Sequence, residues 1–462
     1  MTLIKSISGI RGTIGGKPGD GLSPLDVVKF TAAFGSWLKK RGGGKTIVIG
    51  RDARISGEMV NRLVVGTLQG LGMDVVDVGL STTPTVEMMV PELKAAGGII
   101  LTASHNPKQW NALKLLNEKG EFIDAKDGAE VLALAESPDQ LQFEEVDALG
   151  SYTQRTDAMD FHIQQILELP LVDVEAIRAR GFTVAIDCVN STGGIAVPKL
   201  LKELGVMQVH QLYCEPNGNF PHNPEPLPEH LTEISDLVKE VGADLGIVVD
   251  PDVDRLALVN EDGSMFGEEY TLVAVADYVL THTPGNTVSN LSSTRALRDV
   301  TEKHGQRYVA SAVGEVNVVT EMRRINAVIG GEGNGGIIYP TLHAGRDALL
   351  GIAFFLTHLA KSGQKMTEMR ASYPPYFISK NKIELTPAID VDDVLEKVKA
   401  AHADYEINTA DGVRIDFADS WVHLRKSNTE PIIRIYAEAP SLKAADTLAQ
   451  QIIKLIEELA HG

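Results

Sequence analysis

The chain has 462 residues, with 43 Lys or Arg against 62 Asp or Glu and a formal net charge of −19; at roughly 100–200 residues per domain this predicts three or four domains. Its 44% hydrophobic and 23% charged residues exclude the disordered, collagen-like and simple coiled-coil classes. The acidity excludes a general nucleic-acid or anionic-membrane binder, which needs a basic face, but leaves room for a local basic pocket holding a small anion. No apolar run approaches the ~18 residues of a membrane span. The two cysteines, Cys188 and Cys214, cannot build a disulfide framework or a cysteine zinc site. The stretch Met1–Ser6 has no apolar signal core, so a cytoplasmic location is expected.

In chain order, Ser8-Gly9-Ile10-Arg11-Gly12 sets one arginine between glycines, which let the backbone come close to a ligand. Gly42-Gly43-Gly44-Lys45-Thr46 has the composition of a phosphate-binding loop, but it precedes a strand instead of a helix and reads as a turn. Thr46–Asp52 is an apolar run ending in a polar loop; a helical pattern to Leu71-Gly72 and a second strand, Val75–Val78, follow. Gly98–Leu101 leads into Thr102-Ala103-Ser104-His105-Asn106-Pro107. The small residues there leave Ser104 exposed at the strand's C-terminal end, and Asn-Pro forces a turn. A serine so placed is a nucleophile or a plain turn residue; no G-x-S-x-G elbow or hydrolase triad accompanies it. His105 acts on that serine or merely bonds the loop. Lys114, between Leu113 and Leu115, is a snorkelling surface residue or a site lysine.

The strand–loop–helix–strand plan recurs at Thr183–Asp187, Asn190–Gly194, Leu204-Gly205 and Val206–Leu212, and again from Thr287–Leu291 through His304-Gly305 to Tyr308–Ala312. Buried strands alternating with helices imply βαβ units and parallel sheets, with ligands at the loops beyond the strand C-termini. Pro216–Pro228 reads as a surface loop. After the apolar strand Leu245–Val249 come Asp250, Asp252 and Asp254. Carboxylates this close repel one another, so a hard cation such as Mg²⁺ is the favoured reading over an exposed acidic turn. An EF-hand is excluded because Arg255 stands where its turn needs glycine and Leu256–Asn260 reads as a strand.

Gly331-Glu332-Gly333-Asn334-Gly335-Gly336 fits G-x-G-x-x-G, yet the strand-like Ile337-Ile338-Tyr339-Pro340 follows instead of a helix, which excludes a dinucleotide loop. Tyr373-Pro374-Pro375 reads as a linker. Beyond it, Ala388–His402 is helical, Gly412–Asp416, Ser420–Leu424 and Pro431–Ala437 are strands, and Ala444–Leu459 is an amphipathic helix, a smaller α+β domain. Arg425-Lys426-Ser427-Asn428-Thr429-Glu430-Pro431 supplies a guanidinium fork, hydroxyls and an amide suited to a phosphate dianion, to which Arg434 adds charge; the alternative is a solvated turn.

In order and spacing, SGIRG (8–12), TASHNP (102–107) with Lys114, DPDVDR (250–255), GEGNGG (331–336) and RKSNTEP (425–431) resemble the α-D-phosphohexomutase superfamily over nearly the whole chain. The resemblance implies an α/β protein of four domains around a central cleft. Three are similar mixed α/β (βαβ) domains, expected at 1–156 with the phosphoserine loop, 157–259 with the metal loop and 260–370 with the sugar loop. An α+β domain with the phosphate loop is expected at 371–462.

By the same resemblance Ser104 is the phosphoserine, and its phosphate with Asp250, Asp252 and Asp254 binds Mg²⁺. Glu332 and Asn334 contact the sugar hydroxyls. Arg425, Ser427, Asn428 and Thr429 hold the non-reacting phosphate, while Arg11, Lys114, Arg255 and His105 serve the reacting end, Lys114 or Arg11 assisting proton transfer. Glu315 and Asn317 are further candidates for lining the site.

The implied activity interconverts hexose 6- and 1-phosphates through a hexose 1,6-bisphosphate that turns over within the site. Glucosamine phosphate is the expected substrate, and a broad glucose or mannose phosphate mutase is the alternative. A magnesium phosphatase using Asp250 is disfavoured because Asp254 stands where Thr or Val is expected; a non-catalytic sugar-phosphate binder leaves Ser104 and the aspartates unexplained. A monomer or homodimer with no nucleic-acid or membrane partner is expected. Two departures stand out: Gly336 replaces the histidine of many relatives, and Pro251 and Val253 replace glycines. The GEGNGG form looks like an archaeal-type subset.

Overall fold

Four β-sheets, met one after another along the chain, organise the computed structural model, which describes residues 1–6, 9–384, 390–426 and 432–461. The first sheet has seven strands in the order Leu3–Ser6, Gly9–Thr13, Trp110–Leu116, Gly97–Leu101, Thr46–Arg51, Asp74–Leu80 and Tyr152–Gln154. The second runs Leu256–Asn260, Leu245–Val249, Thr183–Asp187, Gln208–Leu212, and the third Tyr308–Ser311, Asn286–Asn290, Ala327–Glu332, Gly336–Ile338. The fourth is antiparallel throughout, with five strands and the helices Val391–Ala401 and Leu442–His461.

The first three sheets are mixed, not purely parallel as the alternating pattern implied. In each, a strand with a parallel neighbour on one side is followed by a loop and a return strand antiparallel to it: Gly97–Leu101 with Trp110–Leu116, Leu245–Val249 with Leu256–Asn260, Ala327–Glu332 with Gly336–Ile338. These return strands are buried on both faces, so their residues lack the inside–outside alternation by which an antiparallel strand is normally read. The loops between the paired strands carry Ser104, the three aspartates and the GEGNGG turn.

Local chemistry explains the element ends. Ser23 accepts from the Asp26 N–H and Asp26 bonds back to Ser23, a capping box opening Pro24–Arg41, and Gly42 closes that helix at φ 74°. The GGGKT stretch is therefore a helix stop and turn. Gly9, at φ 142°, serves sheet pairing instead of a ligand: a Cβ there would lie 2.2 Å from the Leu113 carbonyl oxygen.

The second and third domains share one continuous apolar core through the helices Glu268–His282 and Ala348–Ser362. The expected linker Tyr373-Pro374-Pro375 is pinned to it: Tyr270 Oη donates to the Pro374 carbonyl at 2.6 Å and Tyr373 Oη to Asp277 at 3.2 Å. Pro216–Pro228 is largely a surface loop, but its Phe220 ring packs under the buried Arg54 guanidinium of the first domain. Among the described residues no helix is long and apolar enough to cross a membrane.

The first three domains meet at a buried cluster. Asp347 caps the helix Ala348–Ser362 with one oxygen and is hydrogen-bonded through the other to His162 and His343, at 2.8 and 3.2 Å. His162 is bonded in turn to Thr85. The donor atoms of His162, His343 and Asp347 converge, but these hydrogen bonds satisfy them without an ion.

The fourth domain docks on the third through polar contacts. His423 bridges Ser292 Oγ at 2.9 Å and the Asp411 carbonyl at 2.6 Å, and Arg414 donates to the Leu291 carbonyl at 2.6 Å. Burial, with Arg414 close by, lowers the His423 pKa to about 4. A histidine kept neutral this way favours the folded state fully above its unfolded pKa near 6.5, and the contribution is lost as pH falls toward 4. We expect stability to decline between pH 6.5 and 4 by on the order of 3 kcal/mol from this group, and His423→Gln to flatten that slope in urea unfolding across pH 5–7. Equal slopes would refute the assignment.

Candidate active site

Ser104 follows the buried strand Gly97–Leu101 and adopts φ 47°, a left-handed conformation unusual for a non-glycine residue. It is 3% exposed, not open to solvent as the small-residue run suggested, because the second domain closes over it. Its Oγ donates to Asp250 Oδ2 at 2.7 Å. The loop is clamped by Arg54, a buried residue the sequence reading passed over. Arg54 pairs with Asp52 at 2.9 Å and donates to the carbonyls of Ser104, Asn106 (2.7 Å), Pro107 (2.8 Å) and Trp110 (3.1 Å). Thr102 links the same Asp52 to the Ser104 N–H. Such a network holds the strained serine in place.

The aspartates form a tight turn between two fully buried strands, with Val253 at φ 61°. All three are 0% exposed and their oxygens converge within 4.8 Å. Each carboxylate is held on one side. Asp250 Oδ1 accepts from the N–H groups of Asp254 and Arg255, both at 3.1 Å. Asp252 Oδ2 accepts from Thr83 Oγ1 at 2.5 Å and Lys114 Nζ at 2.7 Å, and Asp254 Oδ2 from Arg346 at 2.6 Å. On the other side Asp252 Oδ1 and Asp254 Oδ1 are buried with no hydrogen-bond partner. Two orphaned carboxylate oxygens beside the Ser104-bonded Asp250 make an all-oxygen donor set that fits a hard divalent cation.

The electrostatics follow from this arrangement. Burial, then the neighbouring Asp254 and Asp252, push Asp250 well above the usual carboxylate range. Burial would raise Asp252 too, but Lys114 and Thr83 outweigh it and its pKa is lowered. Burial likewise opposes the charge on Lys114, which Asp252 and Asp254 restore. Lys114 is thus a buried site residue and not a snorkelling one.

Around this centre, Arg11 donates to Asn106 Oδ1 at 2.8 Å, and burial lowers its pKa. His105 Nδ1 lies 3.4 Å from Ser104 Oγ; burial, then Arg255 and Arg11, keep the imidazole well below its ordinary pKa and hence neutral. Arg255 is buried, its nearest carboxylate oxygens are 3.7 and 3.9 Å away, and its Nε has no hydrogen-bond partner. It is a free donor for an anion.

The GEGNGG turn closes the opposite wall. Glu332 accepts from Asn290 at 2.8 Å, the Gly314 N–H at 3.1 Å and Arg346 at 2.8 Å. Asn334 Oδ1 accepts from the Gly336 N–H at 3.2 Å. Gly335 is at φ 84°, where a Cβ would lie 2.3 Å from the Leu256 carbonyl oxygen; this lets the turn bond the strand that follows the aspartates, through the Leu256 N–H. Glu315 is buried against Arg346, and burial with nearby Glu87 raises its pKa to about 8. Asn317 turns back to the Val313 carbonyl and is not drawn into this cluster.

In the fourth domain Arg425 stands next to last in the strand Trp421–Lys426, its Nε 2.8 Å from Asp411 Oδ2, an oxygen that accepts from the Val313 N–H of the third domain. Arg434 is exposed and pairs in register with Arg425. Ser427, Asn428 and Thr429 lie outside the described residues, as does Ser8. The sequence reading missed Arg54, Thr83, Glu87, Arg346 and Asp411. The available signal was a charged residue beside an apolar run, as in Arg51-Asp52-Ala53-Arg54 and Gly345-Arg346-Asp347, which alone does not separate a site from a surface.

With this geometry in place, comparisons with known proteins converge. The four segments match, in order, the profiles described as phosphoglucomutase/phosphomannomutase alpha/beta/alpha domains I, II and III and C-terminal domain, over residues 3–142, 160–263, 267–376 and 383–455. The chain is 36% identical to a phosphoglucomutase/phosphomannomutase of Thermococcus kodakarensis, covering 98% of this chain and 99% of that one. It is 31% identical to a probable phosphoglucosamine mutase of Methanopyrus kandleri, covering 97% and 96%. A crystal structure of a phosphoglucomutase/phosphomannomutase family protein from Burkholderia thailandensis superimposes with a TM-score of 0.86 at 25% identity, over 99% and 97% of the two chains.

The three crowded aspartates predict opposite responses with and without metal. Saturating Mg²⁺ or Mn²⁺ is expected to raise the unfolding temperature, with about 2.7 kcal/mol of stabilisation at a hundredfold excess over Kd. Asp250→Asn is expected to raise stability in EDTA, by removing a like charge, and to abolish the response to metal. Thermal unfolding with and without metal tests both; a variant less stable in EDTA than the parent contradicts the repulsion argument.

Proposed function

Because the chain belongs to the phosphoglucomutase/phosphomannomutase family and is a phosphohexomutase, an intramolecular phosphotransferase, we propose that it interconverts glucosamine 6-phosphate and glucosamine 1-phosphate through phosphorylated Ser104 and a bisphosphorylated sugar. The observation that carries the reading is the Ser104–Asp250 hydrogen bond in a buried, cation-walled cleft. A serine there can pass a phosphoryl group without bulk water competing.

Asp250, Asp252 and Asp254 would hold Mg²⁺ together with the serine's phosphate, and the ion would neutralise phosphoryl charge. Lys114, Arg255 and Arg11 surround the transferring group and balance the excess negative charge of three carboxylates and a phosphate. The neutral His105 donates from Nδ1–H toward Ser104 Oγ, whose own proton goes to Asp250, and keeps the loop in register. Arg425, with Ser427, Asn428 and Thr429, grips the phosphate that does not react, while Glu332 and Asn334 face the sugar hydroxyls. After the first transfer the sugar turns end for end, so the distal phosphate grip receives either phosphate. The contacts named between the fourth domain and the third are polar, among them Asp411 to the Val313 N–H, and a shift of the fourth domain at them would accommodate that turn.

The probable phosphoglucosamine mutase of Methanopyrus kandleri supports the amino-sugar substrate. The 36% identical relative supports the second reading, a glucose and mannose phosphate mutase of broad specificity.

Turnover of glucosamine, glucose and mannose phosphates with Mg²⁺ and a trace of bisphosphate tests the proposal. The expected result is a kcat/KM highest for glucosamine 6-phosphate, loss of roughly 10³-fold or more in Ser104→Ala as for other covalent nucleophiles, and one covalent phosphate on Ser104. Equal or faster turnover of glucose or mannose phosphate would replace the substrate assignment, and full activity of Ser104→Ala would sink the phosphoserine.

A further inference from the structure

Arg346 is buried at the start of the helix Ala348–Ser362, and each of its guanidinium nitrogens donates to a different carboxylate. Nε bonds Glu315 at 2.9 Å, Nη1 bonds Glu332 Oε2 at 2.8 Å, and Nη2 bonds Asp254 Oδ2 at 2.6 Å. These carboxylates belong to the aspartate turn of the second domain and to two segments of the third, so one rigid plane joins both walls of the cleft. We propose that Arg346 is a positioning residue that orients Asp254 for the metal and Glu332 for the sugar at once, and that Gly336 is the space it requires.

The evidence for the pairing with Gly336 is steric. A Cβ on Gly336 would lie 2.3 Å from Arg346 Cδ and 3.0 Å from its Cγ. Any side chain at position 336 displaces the Arg346 stem and with it the guanidinium. Arg346 in turn is held from behind, because the adjacent Asp347 caps the following helix and is bonded to His162 and His343. The guanidinium therefore cannot simply follow one carboxylate if another moves.

The effect on each partner is specific. With Oδ2 taken by Arg346, the Oδ1 of Asp254 is left buried without a hydrogen-bond partner. With Oε2 taken by Arg346 and Oε1 by Asn290 and the Gly314 N–H, Glu332 has a fixed plane. Groups that hold a ligating carboxylate from behind typically set metal affinity by about 10- to 100-fold. A lysine keeps the charge but offers one ammonium where three divergent N–H directions are used, so it does not replace the fork. The sugar half of the proposal rests on the mutase reading; the metal half does not.

The test uses the full chain carrying Ser104→Ala, which prevents turnover, with Arg346→Lys or Gly336→Ala added. Mn²⁺ binding is followed by electron paramagnetic resonance and glucosamine 6-phosphate binding by calorimetry. Arg346→Lys is expected to weaken Mn²⁺ binding by about 10- to 100-fold and sugar-phosphate binding by about tenfold, the worth of a hydrogen bond to a charged group. Gly336→Ala keeps every charge and is expected to weaken both in the same way; it carries the test if Arg346→Lys does not fold. The effects of the two changes are expected to be less than additive, since both disturb one joint. Arg425→Ala is expected to weaken the sugar phosphate alone. Mn²⁺ affinity within about twofold of the parent in either variant, or a change confined to thermal stability, overturns the proposal. If the parent binds no hexose phosphate, the mutase reading fails, while the Mn²⁺ measurements still decide the metal half.

Discussion

Three carboxylates buried in a five-residue turn are the constraint on which the rest of this structure depends. Two unit charges 4 Å apart repel by about 4 kcal/mol at an effective dielectric near 20, and Asp250, Asp252 and Asp254 are all fully buried. The turn is held by groups from elsewhere: Lys114 and Thr83 from the first domain, Arg346 from the third, and its own backbone N–H groups. The first and third domains each contribute a cation to the turn, Lys114 and Arg346, and the oxygens left over mark the place of a further cation.

The same requirement explains why functional loops sit where they do. Each of the first three domains places its loop between a strand with a parallel neighbour and a return strand antiparallel to it. Both strands are buried, so the loop emerges from a rigid base with little freedom. Ser104 and Val253 hold left-handed conformations there, a strain that tightly packed surroundings can maintain. The fourth domain differs in kind. Its sheet is antiparallel throughout, and its contacts with the third domain named above are polar: Arg414 to the Leu291 carbonyl, His423 to Ser292, Asp411 to the Val313 N–H. These polar contacts differ in kind from the shared apolar core that joins the second and third domains.

Arg346 extends this logic. It lies one residue from Asp347, yet the two side chains serve opposite purposes: Arg346 joins Asp254, Glu332 and Glu315 in the cleft, and Asp347 joins two histidines and a helix N-terminus behind it. The second cluster anchors the first. The aspartate turn and the GEGNGG turn, which look separate along the chain, are therefore linked by a single guanidinium, and the glycine ending the GEGNGG turn packs against it.

The repeated strand–helix plan, the distinct C-terminal domain, and the motifs carrying Ser104, the aspartates and the GEGNGG turn were legible before the fold was known. These are local signals: apolar runs with a period, turn formers, and like charges packed into a few residues. The sequence also named Arg11, Lys114 and Arg255, though Lys114 between two leucines read equally as a surface residue. Only the tertiary structure decided that Lys114 is a buried partner of Asp252, that Ser104 is covered and bonded to Asp250, and that return strands make the sheets mixed. Arg54, Arg346 and Asp411 were invisible for the same reason. Most of their partners lie between 14 and 98 residues away, and a charge inside an apolar context has no meaning until the chain shows which opposite charge it meets.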